Sequence, residues 1–210
     1  MIRALVADDH AVVRRGLKDL FGESGDIVVE GEATSGQELL DQVEQKPWDV
    51  VVLDINLPDR NGLDLLGEVK RRNPDLPVLI LTMYAEEHYA VRAMRAGAAG
   101  YVTKESAPEE LIQAVRKVVN RGRYVSPGLA ERLAHWVDGA SDKPPHERLS
   151  TREFQIFLML ASGRAVSQAA DDLCLSVKTV STYRARVLEK MDLKSNADLT
   201  LYAVRNRLVQ

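Results

Sequence analysis

The 210-residue chain has a single cysteine, Cys174, no internal repeat or low-complexity tract, and no apolar stretch long enough to span a bilayer. One cysteine excludes an internal disulfide framework and fits a reducing compartment; as a small apolar side chain, Cys174 is expected to be buried. The acidic pair Asp8-Asp9 arrives before a signal-peptide-length apolar region could form. These absences predict a soluble cytoplasmic protein with no membrane partner.

Net charge is also small, −3, but unevenly spread. Residues 1–145 carry 18 Lys and Arg against 24 Asp and Glu, whereas residues 146–210 carry 10 against 7, so an acidic part precedes a basic one. Between them Asp138-Gly-Ala-Ser-Asp-Lys-Pro-Pro-His146 is rich in breakers and has no hydrophobic period, which predicts an interdomain linker.

Before the linker, short apolar runs at 2–7, 27–30, 50–53, 78–81 and 99–102 alternate with helical patterns near 10–21, 36–45, 62–72, 86–96 and 107–120. That alternation predicts an α/β domain, a five-stranded parallel sheet doubly wound with helices. After the linker only helical patterns remain.

Asp8-Asp9 ends the first apolar run and Asp54 ends Val50-Val51-Val52-Leu53. In an open parallel sheet the ligand crevice lies outside the carboxyl ends of the strands, so these acids can converge there. Three carboxylates without an interleaved base call for a hard cation such as Mg²⁺, and a carboxylate beside such a metal can accept a phosphoryl group. Thr82 and Lys104 end two further strands. Singly, such a threonine is usually a cap and such a lysine solvated. Together on one sheet edge with the acids they form a phosphate-binding constellation, with hydroxyl and ammonium aimed at phosphoryl oxygens.

Asp8-Asp9, Asp54-Ile-Asn-Leu-Pro58, Gly62, Leu81-Thr82, Gly97-Ala-Ala-Gly-Tyr101 and Lys104 resemble the receiver domain of two-component response regulators. The resemblance covers residues 1–121 and implies a flavodoxin-like fold, with Asp54 phosphorylated by a sensor histidine kinase. It implies Mg²⁺ ligation by Asp9, Asp54 and the backbone carbonyl of Asn56, help from Asp8 through water, and phosphoryl binding by Lys104. Thr82 and Tyr101 match the family's switch pair, although a strand tyrosine also commonly packs with its hydroxyl in water. Glu105 departs from the proline that many receivers carry after the lysine.

In the basic part, Ser150-Thr-Arg-Glu153 is a capping box before Phe154, Phe157, Leu158 and Leu160, and Gly163 closes that helix. A second helix is predicted over about 166–173. Ser176 caps a third, 177–191, whose faces separate at the helical period: Val177, Val180, Val187, Leu188 and Met191 on the packing side, and Lys178, Ser181, Thr182, Ala185 and Arg186 on the other. With Thr179, the second set is expected to contact double-stranded DNA, since small polar side chains flanked by cations suit major-groove entry.

Leu149-Ser-Thr-Arg-Glu153, Leu173, Leu175-Ser-Val-Lys-Thr-Val180, Tyr183-Arg184, Leu188, Lys190-Met191 and Tyr202-Ala203-Val204 resemble the LuxR-type helix-turn-helix domain over residues 148–210, with 122–147 as linker. Together the resemblances imply a NarL/FixJ-type response regulator, a phosphorylation-controlled transcription factor acting as a homodimer on a promoter, with an inverted repeat as the expected site. The last helix, about 197–205 with Ser195 as cap, is the family's dimer contact. Ala165 departs from the usual Ser or Thr cap of the second helix, and Ala169 from a larger aliphatic residue.

Two rival readings differ in kind. A phosphatase of the haloacid dehalogenase type needs a second Asp two residues after its nucleophile; Asn56 stands there and cannot transfer that proton, so no enzyme is expected. A receiver that binds partners without phosphate is opposed by the presence of Asp8, Asp9, Asp54, Thr82 and Lys104 together.

Overall fold

The computed structural model describes residues 1–84, 86–126, 129–130, 144–206 and 208–209, without the side chains of residues 86–88. It divides into two compact units, Met1–His135 and Trp136–Gln210.

The first unit alternates β1 (Ile2–Ala7), α1 (Ala11–Ser24), β2 (Ile27–Ala33), α2 (Gly36–Gln45), β3 (Val50–Leu53), α3 (Gly62–Arg72), β4 (Val78–Thr82), α4 (Glu86–Arg95), β5 (Gly100–Thr103) and α5 (Pro108–Val119). All strand pairs are parallel, in the order β2-β1-β3-β4-β5. Central strands read as unbroken apolar runs because both faces are covered. Ala4, Val6, Val50, Val52, Leu79, Leu81 and Val102 pack with Leu17 and Phe21 of α1 and Leu111, Val115 and Val118 of α5. The alternate residues Leu5, Val51, Leu53 and Ile80 are equally buried, on the face that α2 to α4 cover. Strand β2 runs three residues past the predicted end at 30. Its apolar run stops at Glu30, yet Gly31 to Ala33 still pair with β1 after a register shift between Ala4 and Leu5. At Gly31 a Cβ would meet the Trp48 ring at 2.4 Å, so a bare residue continues the strand where no hydrophobic signal does.

The sheet's free β5 edge is partly paired after α5. The Tyr124 amide donates to the Ala99 carbonyl (2.9 Å), the Tyr101 amide donates to the Tyr124 carbonyl (3.3 Å), and Gly100 and Tyr124 form a parallel bridge.

Among the described residues the second unit comprises a 3₁₀ turn, Pro145–Arg148, followed by α6 (Thr151–Ala161), α7 (Val166–Asp172), α8 (Val177–Met191) and α9 (Asn196–Arg205). Both halves of the capping box form on α6: the Glu153 amide donates to Ser150 Oγ and the Ser150 amide to the Glu153 carboxylate. Phe154, Ile156, Phe157, Leu160, Val180, Val187, Met191, Leu199 and Ala203 make the core. At Ala165 only half a cap exists, its amide donating to Gln168 Oε1 at 3.0 Å. Ala169 and Ala170 are wholly buried, their small side chains letting α7 lie close to its neighbours.

Cys174 departs from expectation, being exposed. It follows α7 at φ 51°, in the left-handed position that ends a helix, where its amide donates to Asp171 and that of Leu175 to Ala170. The turn holds Leu173 inward and leaves the thiol in solvent. Most of the predicted linker, residues 127–128 and 131–143, lies outside the described residues. At its far end His146 Nδ1 and the Tyr202 hydroxyl of α9 share a hydrogen bond of 2.8 Å.

Candidate functional site

Strand order reverses at β1, whose neighbours are β2 and β3, so the crevice falls at the carboxyl ends of β1 and β3. That is where Asp8, Asp9 and Asp54 stand. Asp8 and Asp54 are buried, and Lys104 Nζ lies 2.6 Å from Asp8 Oδ2 and 2.7 Å from Asp54 Oδ2. Gly62 permits the turn after β3: a Cβ there would stand 2.2 Å from the Asp54 carbonyl oxygen, and the Gly62 amide donates to the Ile55 carbonyl.

Burial pushes the Asp54 carboxyl above its ordinary pKa, against the opposing pull of Lys104 and with Asp8 reinforcing the rise. Burial alone would lower the Lys104 ammonium, but Asp54 and Asp8 outweigh it and the net shift is upward. A partly desolvated carboxylate beside a fixed ammonium is poised as a nucleophile toward an electrophile carrying negative oxygens.

One donor escaped the sequence reasoning. His10 Nδ1 lies 2.7 Å from Asp9 Oδ1 and 3.2 Å from Asp8 Oδ1, and the His10 amide donates to Asp8 Oδ1 at 2.8 Å. Donor atoms of Asp8, Asp9, His10 and Asp54 all fall within 4.8 Å of one another, and three of the four are carboxylates, a set suited to a hard divalent cation. The position of His10 beside the acid pair was the available signal. Asn56 lies in the loop between β3 and α3, its amide donating to Asp54 Oδ1 at 3.2 Å.

Thr82 is buried at the end of β4, one strand away, and the Lys104 amide donates to its carbonyl. Tyr101 is buried too, and its hydroxyl is not in water: it donates to the Tyr84 carbonyl at 2.8 Å. The Tyr84 amide faces Thr82 Oγ1 at 3.5 Å, so the backbone of one residue stands between Thr82 and Tyr101, and the Tyr84 ring stacks on Tyr89. Tyr84 carried no sequence signal, because its contribution is made by backbone.

In the second unit Lys178, Ser181, Thr182, Ala185 and Arg186 are all exposed on α8. Thr179 is half-buried and its hydroxyl is shared with the Ser176 cap at 2.7 Å. Thr182 Oγ1 donates to the Lys178 carbonyl, leaving its methyl and lone pairs outward. Val177 corrects the predicted packing face: at the first position of α8, before the helix reaches its neighbours, it is 52% exposed. An apolar side chain therefore stands beside the polar ones at the end of the helix that enters a groove first.

The family model of the response regulator receiver domain matches residues 4–116, and that of bacterial regulatory proteins of the luxR family matches residues 147–203. The response regulator GacA of Pseudomonas protegens is 41% identical over 100% of this chain and 98% of its own. The response regulator UvrY of Escherichia coli is 34% identical over 99% of this chain and 96% of its own. RcsB of Salmonella enterica serovar Typhimurium, solved bound to promoter rprA with the phosphomimetic BeF3−, shares the fold at a TM-score of 0.65, with 24% identity over 96% of this chain and 97% of RcsB. The chain belongs to the two-component response regulators of the NarL/FixJ type. It is a DNA-binding transcription regulator whose receiver is the α/β unit and whose LuxR-type helix-turn-helix is the α-helical one. Among the described residues no helix is long and apolar enough to cross a membrane.

Proposed function

We propose that this protein acts in the cytoplasm, that Asp54 accepts a phosphoryl group from a sensor histidine kinase, and that this modification controls dimerisation and promoter binding. The observation that carries the reading is the pairing of one partly buried lysine with two buried carboxylates at the sheet's switch point, Lys104 to Asp8 and Asp54. An Asp54 oxygen attacks phosphorus in line, the P–N bond to the kinase imidazole breaks, and the imidazole leaves with a proton from solvent. Asp9, Asp54 and the Asn56 carbonyl, with Asp8, would hold Mg²⁺, which when bound neutralises phosphoryl oxygens. Lys104 then exchanges a carboxylate partner for a phosphoryl oxygen and Thr82 donates its hydroxyl to another. Tyr101, tied to the same loop through Tyr84, repacks with it. No turnover of an external phosphate ester belongs to this function.

Phosphorylation replaces the single negative charge of the Asp54 carboxylate with the roughly 1.5 to 2 of a phosphoryl group, a gain of about one charge at most in an acidic site, whose direct field on DNA is repulsive, so any activation must come from a population shift. Paired receivers bring two helix-turn-helix units to an inverted repeat and raise affinity through effective concentration. RcsB, which shares this fold, was solved bound to a promoter in the presence of a phosphomimetic, which supports a link between receiver modification and DNA binding. Acetyl phosphate with Mg²⁺ should add one phosphoryl mass to the intact protein. Labelling should vanish in EDTA and in Asp54→Asn; undiminished labelling in the variant removes the acceptor assignment, and undiminished labelling in EDTA removes the metal site. Sedimentation with and without phosphorylation tests the dimer step, and a phosphorylated monomer that binds one half-site as tightly as an inverted repeat ends it.

A further inference from the structure

We propose that Asp59 is a positioning residue for the metal site: its carboxylate anchors the loop carrying Asn56 to the first turn of α2, and so holds the Asn56 carbonyl ready. The inference rests on the Mg²⁺ reading given above.

Asp59 Oδ1 accepts the Gly36 amide at 2.7 Å and Oδ2 accepts the Gln37 amide at 3.0 Å. These are the first two amides of α2, which have no partner within the helix and lie at its positive end, so a carboxylate is the acceptor they bind best. The approach depends on a missing side chain. A Cβ on Gly36 would sit 3.3 Å from both Asp59 oxygens and 2.2 Å from Leu65 Cδ1. Next along the loop, Arg60 Nη2 reaches Gln37 Oε1 and Arg60 Nη1 pairs with Glu68 of α3.

The base of the loop is closed as well. Asn56 and Asn61 form an antiparallel bridge, the Gly62 amide donates to Ile55, and Asn61 Oδ1 caps α3 at the Leu63 amide. Asn56 therefore lies in a small ring fastened at its base to β3 and α3 and at its tip, through Asp59, to α2. Releasing the tip frees the peptides between Asn56 and Asp59, and a carbonyl that must be ordered on binding holds a cation less well than one ordered beforehand. Simple helix capping does not account for this, because α2 has a separate cap: Ser35 Oγ accepts the Glu38 amide and Glu38 in turn accepts from Thr34. The hydrogen bonds of that second cap lie within residues 34–38, and it supplies the control.

The experiment is a calorimetric titration of Mg²⁺ into the unphosphorylated full-length protein, with hydrogen exchange read at residues 56–60. Asp59→Ala should weaken Mg²⁺ about tenfold, the low end for a residue that supports a ligand, and speed exchange in the loop. Asp59→Asn, which keeps one acceptor, should recover part of the loss. Ser35→Ala should loosen α2 equally and leave Mg²⁺ affinity at the wild-type value. Wild-type affinity in Asp59→Ala overturns the anchor alone, as does an equal loss in Ser35→Ala. A wild-type protein that takes up no Mg²⁺ overturns the metal reading beneath it.

Discussion

Each unit has a lysine set to meet phosphate, and the two are kept in opposite ways. In the receiver, Lys104 is 9% exposed and held between two buried carboxylates, whereas Lys178 on α8 is exposed and, among the described residues, makes no ion pair. Lys190 lies between them in kind, 44% exposed and 2.7 Å from the buried Glu153 carboxylate. A group that must meet one phosphoryl group in one geometry is set in advance by charges that cost desolvation. A group that must meet a polyanion along a groove stays hydrated until contact releases counterions.

The largest test of this contrast is Lys104→Met. Removing one partner of a buried pair leaves Asp8 and Asp54 uncompensated, and the receiver should lose roughly 3 kcal/mol. Saturating Mg²⁺ should return part of that loss, since the cation supplies the missing charge. Hydrogen exchange of β1 and β3 across a urea series measures both effects, and a loss that Mg²⁺ leaves untouched separates Lys104 from the metal site.

A smaller effect is expected at Glu153. Burial pushes its carboxyl up, but Lys190 and the Ser150 amide and hydroxyl more than offset this, and its pKa lies below the usual glutamate value. A carboxyl depressed by folding stabilises above its unfolded pKa of about 4.3 and loses that contribution as pH falls through the folded value. Protection of α6 amides should therefore fall on acidification below about pH 4.3. Glu153→Gln should flatten that dependence and cost about 1 kcal/mol at neutral pH. An unchanged acid profile in the variant would assign the transition to another group.

The smallest effect on folding, and the clearest on DNA, belongs to Lys178→Ala. Stability should change by less than about 0.5 kcal/mol, while the slope of log affinity against log salt should drop by about 0.9, one phosphate contact. Thr182→Ala should instead alter base preference. If Lys178→Ala leaves the slope intact and Thr182→Ala lowers affinity uniformly, the assigned roles are wrong.

Elements whose cause is local were legible in the sequence. Val50-Val51-Val52-Leu53 announces a strand buried on both faces, Ser150 to Glu153 a capping box, and α8 begins and ends where its periodicity does. The meeting of Asp8 with Asp54 followed from their shared place at strand ends. What stayed hidden depends on partners distant in sequence or on backbone. Asp59 reads as an ordinary turn residue until the α2 amides are beside it. Tyr84 acts through its peptide group. Val177 falls on the apolar side of a helical wheel, but the wheel does not say where the neighbouring helices stop. Cys174 has the composition of a core residue and the φ of a turn.

The pairing of Tyr124 with the β5 edge changes how the receiver can be dissected. The start of the edge strand, Gly100 and Tyr101, meets the chain that leaves α5 at Tyr124 instead of meeting solvent there. A fragment ended at residue 121, where the resemblance to receiver domains ends, removes that plug and bares hydrogen-bonding groups that template strand addition by a second copy. Self-association of such a fragment would then report the cut, and a fragment that retains residues 122–126 is the one whose oligomeric state speaks for phosphorylation.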